Sequence, residues 1–267
     1  MDGVTISGLF IYPVKGCRGV AVREAEVTDR GFALDRRWMV TDARGRFLSQ
    51  RVHPRLALVE VEVVGDSLVA KAPGTEPLKV PLVGRAGGKR EVDIWDDTVV
   101  AWSEGPAAAA WFGRVLSLEC DLVRMPDTTR RQVDPARARP GDLVGFADAY
   151  PFLLLSEGSL GELNRRLASP VPIDRFRPNI VVAGCPPHAE DGWRTLAAGG
   201  VSFRMAKPCA RCIVTTVDQS TGVRAEEPLR TLATYRQRGN EVLFGQNLVH
   251  DGRGVVRLGD SCRVSPA

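Results

Sequence analysis

Two cysteines separated by two residues form the most distinctive chemical motif of the chain. Cys209 and Cys212 lie in the segment Lys207-Pro-Cys-Ala-Arg-Cys212. Such a pair can bind zinc, exchange thiols with disulfides, supply a thiolate to another metal, or fill space as two small buried side chains. Lys207 and Arg211 flank the pair, and neighbouring positive charge favours a thiolate over a thiol. This setting favours a chemical role over a purely structural one.

Two of these alternatives fit the sequence poorly. A structural zinc site normally needs four ligands, and neither the remaining cysteines nor the histidines show paired ligand spacing. These residues are Cys17, Cys120, Cys185, Cys262, His53, His188 and His250. A thioredoxin-like pair stands at the start of a helix, whereas the β-branched run Cys212-Ile-Val-Thr-Thr-Val-Asp218 predicts a strand after this pair.

Cationic and amide side chains occur in turns far from the cysteine pair. Arg177 and Asn179 flank Pro178, which fixes the backbone between them. Lys15 follows the end of a predicted strand, and Arg36 stands in Asp35-Arg36-Arg37. A single basic turn is usually solvated, but several of them brought together by the fold predict a site for a phosphate-bearing ligand.

The composition indicates a globular protein with room for two domains. The chain has 267 residues, of which 44% are hydrophobic and 25% charged, so a sizeable core is expected. A net charge of +4 lacks the dense basic clustering of a nucleic-acid-binding protein. Neither a signal peptide nor an apolar run of about 18 residues is visible. These features predict a cytoplasmic protein without a membrane span.

Hydrophobic patterning predicts a β-rich, mixed α/β fold. Short strands separated by turns fill the first half, and one helix is predicted over 107–116. The polar, proline-bearing stretch 126–142 predicts a surface loop near a domain boundary. The second half should contain a buried strand over 151–156, a helix over 157–167 and a short helix over 228–235.

Several stretches in this order resemble one known family. The chain is similar to molybdenum-cofactor proteins in which a MOSC-associated N-terminal β-barrel domain precedes a MOSC (molybdenum-cofactor sulfurase C-terminal) domain. The mitochondrial amidoxime-reducing component and its bacterial relatives belong to this group. The matching stretches are 11–17 (IYPVKGC), 34–40 (LDRRWMV), 94–97 (IWDD), 151–157 (PFLLLSE), 176–179 (FRPN), 209–218 (CARCIVTTVD), 228–232 (PLRTL) and 244–247 (FGQN). The resemblance implies a β-barrel-like domain over residues 1–122 and a MOSC β-barrel domain with peripheral helices over 123–267.

The resemblance also implies an enzyme that holds a mononuclear molybdenum on a pyranopterin dithiolene. By motif position, Cys212 would be the catalytic metal ligand, with Cys209 as the other candidate. The cofactor-binding residues would be Lys15, Arg36, Arg177, Asn179, Arg211, Cys209 and Asn247. Two positions depart from the family pattern, since Gly16 replaces a common Ser and Tyr150 replaces a small polar residue.

The function implied by the resemblance is reduction of N-hydroxylated compounds, namely amidoximes, hydroxylamines and N-hydroxylated bases. The chain ends without an iron–sulfur domain, so electrons would come from a separate ferredoxin, flavodoxin or cytochrome b5 type of protein. Asp148 and Glu157 are candidate proton donors. One alternative is a cofactor carrier or sulfur-transfer module with a cysteine persulfide, although no pyridoxal-phosphate desulfurase domain is visible. The other is a non-catalytic binding module.

Overall fold

Strands dominate this protein, whose computed structural model describes residues 3–84 and 87–267. The strands of the first half are β1 (Thr5–Ile11), β2 (Val20–Ala21), β3 (Glu24–Thr28), β4 (Gly31–Phe32), β5 (Trp38–Asp42), β6 (Glu60–Val64), β7 (Ser67–Lys71), β8 (Leu78–Pro81), β9 (Lys89–Ile94), β10 (Asp97–Ser103) and β11 (Cys120–Arg124). Those of the second half are β12 (Phe152–Ser156), β13 (Ile180–Ala183), β14 (Trp193–Ala198), β15 (Val201–Ala210), β16 (Gln237–Arg238), β17 (Glu241–Asp251), β18 (Gly254–Arg257) and β19 (Arg263–Pro266). The β-rich fold class is therefore confirmed.

Helices are few within the described residues. They are α1 (Pro106–Leu116), α2 (Glu157–Arg166) and α3 (Leu229–Arg236). Short 3-10 turns occur at Pro54–Leu58, Ile173–Arg175, Ala189–Gly192 and Ile213–Thr216. None of the helices in residues 3–84 and 87–267 combines the length and apolarity needed to cross a bilayer.

The largest sheet contains strands from both ends of the chain, β1 and β19, beside other strands of the second half. Its strand order is β19-β14-β15-β17-β12-β13-β1-β2, with β16 paired to β17. The first strand thus pairs with β13, through Leu9 and Ile180, and β3 pairs with β18. Large apolar side chains such as Phe203 and Leu248 are fully buried beneath this sheet. Each contributes roughly 1.5–3 kcal/mol to folding.

Smaller sheets in the first half surround a second core. Their orders are β5-β11-β10-β9 and β6-β7-β8. Helix α1 begins with a proline at its first turn, where no hydrogen-bond donor is needed. It buries Trp111 and Phe112 against Trp38 and Leu122. This core holds the loops that precede and follow β5 in place.

The domain boundary expected at residue 122 stays a prediction. Strand pairing does not divide the chain at that residue. Strands β1 and β3 pair with strands of the second half, whereas β5 to β11 pair among themselves. Loops near residues 15, 36 and 50 therefore lie between two cores. A site formed there would receive side chains from both halves.

Three local expectations differ from the structure. The run 212–218 was expected to be a strand, but residues Ile213–Thr216 form a 3-10 turn. The stretch 126–142 is not wholly on the surface, because Arg131 and Val133 are buried. Strands β14 and β17 were not predicted, although β17 forms the centre of the large sheet.

Candidate functional site

One cleft collects all eight side chains that the sequence singled out. Loops of the first half form part of its wall, and residues of β12, β15 and β17 together with loops and turns of the second half form the rest. The eight lining residues are Lys15, Arg36, Arg177, Asn179, Cys209, Arg211, Cys212 and Asn247. Positions more than 200 residues apart in sequence thus meet in one place.

The cysteine pair lies where β15 ends. The pairing of β15 with β17 shifts register between Pro208 and Ala210, which places Cys209 at a strand irregularity. The Cys209 Sγ accepts a hydrogen bond from the Arg211 Nη1 at 3.0 Å. Within residues 3–84 and 87–267, the Cys212 Sγ has no hydrogen-bond partner, and Cys212 is half-buried. Of the two thiols in the cleft, that of Cys212 is therefore the uncommitted one.

The backbone after Cys212 is held by threonine side chains and by a buried arginine. The Thr215 backbone N–H and Oγ1 donate to the Cys212 carbonyl at 3.1 and 3.0 Å. Arg175, which the sequence reasoning missed, donates to the carbonyls of Thr215 and Thr216 at 2.9 and 3.1 Å. Arg175 also donates to the carbonyl of Glu227 at 3.1 Å. These bonds fix the turn that presents the free thiol.

Arg36 and Asn179 form one hydrogen-bonded unit. The Arg36 Nη1 donates to both oxygens of Asp35, at 2.8 and 2.7 Å, and to the Asn179 Oδ1 at 2.9 Å. The Asn179 Nδ2 donates to the Phe10 carbonyl at 3.1 Å. Burial raises the pKa of the Asp35 carboxyl, and the Arg36 charge opposes that effect. Asn179 is 1% exposed, so its amide serves to position Arg36.

Arg177 and Arg211 are half-buried, and their guanidinium groups have few hydrogen-bond partners. The side chain of Arg177 meets only the Gln219 Oε1, at 3.5 Å, and the ring of Tyr12 among the described residues. Burial lowers the pKa of Arg177, and the nearby Arg36 acts in the same direction. The Arg211 Nη2 donates to the Phe176 carbonyl at 2.6 Å, but the buried Arg211 Nε has no hydrogen-bond partner in the described part of the chain. Both side chains retain capacity to bind an anion.

Lys15 brings a further cation to the cleft. Its Nζ donates to the Phe146 carbonyl at 2.9 Å and to the Asp148 carboxylate. Burial lowers the pKa of Lys15, while Asp148 opposes that effect. Partial desolvation by the cleft wall would raise the pKa of the Asp148 carboxyl, although its side chain still reaches solvent; the Lys15 charge and the hydrogen bonds from Lys15 and the Trp95 indole outweigh that effect and hold the pKa low. Asp148 is therefore ionised and suited to accept hydrogen bonds.

The remaining predicted positions differ in their contacts. The Asn247 side chain is half-buried in the cleft, with no hydrogen-bond partner in the described part of the chain. Glu157 is exposed at the start of α2 and does not line the cleft, so its candidacy as a proton donor loses support. Tyr150 and Gly16, the two departures from the family pattern, both line the cleft. Gly16 has a φ of +84°, a left-handed conformation that favours glycine.

These residues fit an anionic, metal-bearing pterin. The fit is tested by the buried Arg211 Nε, which lacks a partner, and by Arg177, which lacks a carboxylate. Both would be satisfied by anionic or carbonyl oxygens. A free thiol at Cys212 is a soft donor suited to molybdenum. Asp148 is the only carboxylate among the described residues lining the cleft, so positive charge predominates there.

Family comparisons agree with the order of the sequence motifs. Residues 3–119 match the MOSC N-terminal beta barrel domain, and residues 142–263 match the MOSC domain. Together these two matches cover most of the chain.

Similar proteins of known name extend over nearly the whole chain. Mitochondrial amidoxime-reducing component 1 of Homo sapiens is 38% identical over 96% of this chain and 81% of its own length. The protein of the same name from Mus musculus is 36% identical with the same coverage. Molybdenum cofactor sulfurase of Oryza sativa subsp. japonica is 31% identical over 92% of this chain, but only 32% of its own length is matched.

Proposed function

The chain belongs to the MOSC-domain family that includes the mitochondrial amidoxime-reducing components, and from that membership we propose that it is a molybdenum-cofactor-dependent reductase of N-hydroxylated compounds. The substrate class comprises amidoximes, hydroxylamines and N-hydroxylated bases. The observation that carries the proposal is that one cleft is lined both by Cys212, whose thiol is uncommitted, and by the incompletely paired Arg177 and Arg211.

In this proposal, the chain's own residues divide into ligands and supports. Cys212 would ligate the metal, and Lys15, Arg36, Arg177 and Arg211 would hold the pterin and its phosphate. When bound, the cofactor supplies a metal that changes oxidation state and accepts oxygen from an N–O bond.

Supporting residues hold these ligands in position. Asn179 holds Arg36, and Arg175 fixes the turn after Cys212. Cys209 keeps the Arg211 guanidinium at the end of β15 through its sulfur. The amide of Asn247 remains available to hydrogen-bond a substrate beside the metal site.

Proton supply follows from the charges in the cleft. Reduction of an N–O bond to an N–H and water consumes two electrons and two protons. Asp148 is ionised beside Lys15, so it orients hydrogen-bond donors and does not itself donate a proton. The protons then come from solvent, which reaches the Asp148 side chain because that side chain is 62% exposed.

In the same proposal, the two electrons come from a separate electron-transfer protein of the ferredoxin, flavodoxin or cytochrome b5 type. The cytoplasmic location expected from the sequence stays a prediction, since the relatives from Homo sapiens and Mus musculus are named as mitochondrial proteins.

The proposal is tested by benzamidoxime reduction with a chemical electron donor, after expression in a host that makes the molybdenum cofactor. We expect wild-type protein to form benzamidine, and Cys212→Ser to lose at least about 99% of that rate because a coordinating sulfur is lost. Cys209→Ser is the matched control, and it should retain most of the activity. Wild-type protein that carries molybdenum but leaves benzamidoxime unchanged would contradict the assignment.

A carrier or sulfur-transfer module is the second candidate, favoured by the similarity to a molybdenum cofactor sulfurase over a third of that protein's length. In that case Cys209 or Cys212 would hold a persulfide. Mass spectrometry of the purified protein separates the two functions. An added sulfur on either cysteine, without molybdenum, would support the carrier.

A further inference from the structure

The Tyr12 ring contacts two of the cleft arginines at once. The Arg36 Cζ and the Arg177 Cζ each lie 4.3 Å from the ring centroid. Both distances are well inside the range of a cation–π contact. Tyr12 is 1% exposed, so the ring has a fixed environment. The two arginines lie 141 residues apart in the sequence, and both contact this one aromatic ring.

Tyr12 also anchors the backbone of both loops. Its N–H donates to the Asp35 Oδ1 at 2.7 Å, and its carbonyl accepts from the Arg36 N–H at 2.8 Å. Its hydroxyl donates to the Pro178 carbonyl at 3.0 Å. The residue therefore joins the loop before β5 to the loop before β13.

The backbone at the two arginines needs such support. Arg36 has a φ of 45° and Arg177 a φ of 56°, both in the left-handed region that L residues rarely adopt. Conformations of this kind persist only where surrounding contacts enforce them, and they are common at functional sites. Here the enforcing contacts include Tyr12.

Electrostatics alone would separate these side chains. Arg36 and Arg177 repel each other, and Asp35 forms an ion pair with Arg36 while its charge acts on Arg177 only without direct contact. A ring with negative faces offsets part of this repulsion without adding a carboxylate that would compete with an anionic ligand. We propose that Tyr12 is a positioning residue whose ring holds the Arg36 and Arg177 guanidinium groups together as a preformed anion site. The proposal rests on the proposed function only in assigning that anion to the cofactor.

The test measures binding of inorganic phosphate to cofactor-free protein by calorimetry. Tyr12→Phe keeps the ring and removes the hydroxyl, so the affinity should stay within about twofold of wild type. Tyr12→Leu removes the ring, and the affinity should fall about tenfold, as expected for two lost cation–π contacts. A trifluorinated phenylalanine at position 12 keeps the shape but weakens the negative face, and it should lie between the two. If Tyr12→Leu does not fold, the phosphate affinity of the trifluorinated variant is compared with that of Tyr12→Phe. A lower affinity of the trifluorinated variant is then the expected result.

Tyr235→Leu is the matched control, because the Arg166 Cζ lies 4.1 Å from the Tyr235 ring, outside the cleft. It should leave phosphate affinity unchanged. Three results would overturn the proposal: no phosphate binding by wild type, equal losses in Tyr12→Phe and Tyr12→Leu, or an equal loss in Tyr235→Leu. Failure of the proposed function is distinct, since it would appear as wild-type protein without benzamidoxime reduction whatever the phosphate affinities.

Discussion

The arginines in and around the cleft form two groups that differ in how completely they are paired. In the scaffold, Arg131 is 5% exposed and donates to Asp97 and to the carbonyls of residues 145, 147 and 148. Arg175, although it lines the cleft, likewise reaches three carbonyls and Asp218. By contrast, among the residues that the structure describes, the Arg211 Nε has no hydrogen-bond partner and Arg177 has no carboxylate partner.

Hydrogen-bond and ion-pair partners, and not residue type, therefore distinguish a structural arginine from a ligand-binding one. A buried guanidinium with every donor satisfied supports the fold. A guanidinium with donors left over, facing a cleft, is prepared for an anion. The cysteines divide in the same way, since Cys17, Cys120 and Cys262 are buried in the cores while Cys209 and Cys212 line the cleft.

The largest expected difference concerns thiol reactivity in cofactor-free protein. Burial raises the pKa of Cys17 and Cys262 to about 12 and that of Cys120 to about 11. These three should react with iodoacetamide at least about a thousandfold more slowly than Cys212, because they require unfolding first. Peptide mapping by mass spectrometry measures each rate. Fast labelling of Cys17 would show that the two regions do not differ in this way.

The next effect is on stability. Arg175→Met removes the hydrogen bonds of a buried guanidinium to three carbonyls and leaves the buried Thr215 carbonyl unsatisfied, so the free energy of unfolding should fall by about 3 kcal/mol. Arg230→Met is the control, since Arg230 forms only exposed ion pairs, and it should cost less than about 0.5 kcal/mol. Urea denaturation measures both. Similar small losses in the two variants would remove the structural role assigned to Arg175.

Arg177→Met should have the opposite profile. The free energy of unfolding should change by less than about 1 kcal/mol, because the guanidinium has few partners to lose. Molybdenum content after expression in a cofactor-producing host should fall about tenfold, because one cation of the anion site is gone. Arg166→Met, outside the cleft, serves as the control for both measurements. A large loss of stability together with a normal molybdenum content would contradict this assignment and show that Arg177 supports the fold.

Sequence motifs predicted the cleft residues better than the contacts that hold them. Motif order pointed to Cys212 and Arg177, since those residue types recur in a recognisable pattern. The strand predicted after Cys212 is wrong. Its β-branched residues favour strands, but the Thr215 and Thr216 hydroxyls donate to carbonyls three residues earlier and stabilise a turn. The roles of Arg175 and Tyr12 depend on partners more than 20 residues away, which local patterns do not reveal.

The smallest expected effect concerns Asp218, on the scaffold side of the Cys212 turn. Hydrogen bonds from Ser220 and Thr221 outweigh burial and lower the pKa of Asp218 to about 2. An unfolded aspartate has a pKa of about 3.9, so this stabilisation is fully present above about pH 4 and is lost as the pH falls towards 2. Asp218→Asn should be less stable than wild type near neutrality, and the gap should close in acid. Urea midpoints across that range measure it, and a gap that is constant with pH would contradict the assignment.

The central claim is that the Cys212 sulfur bonds to molybdenum in the arginine-lined cleft. X-ray absorption at the molybdenum edge tests it most directly, by comparing wild-type, Cys212→Ser and Cys209→Ser proteins. The account predicts that sulfur coordination of the metal decreases by one in Cys212→Ser and stays unchanged in Cys209→Ser. An unchanged sulfur count in Cys212→Ser would contradict it.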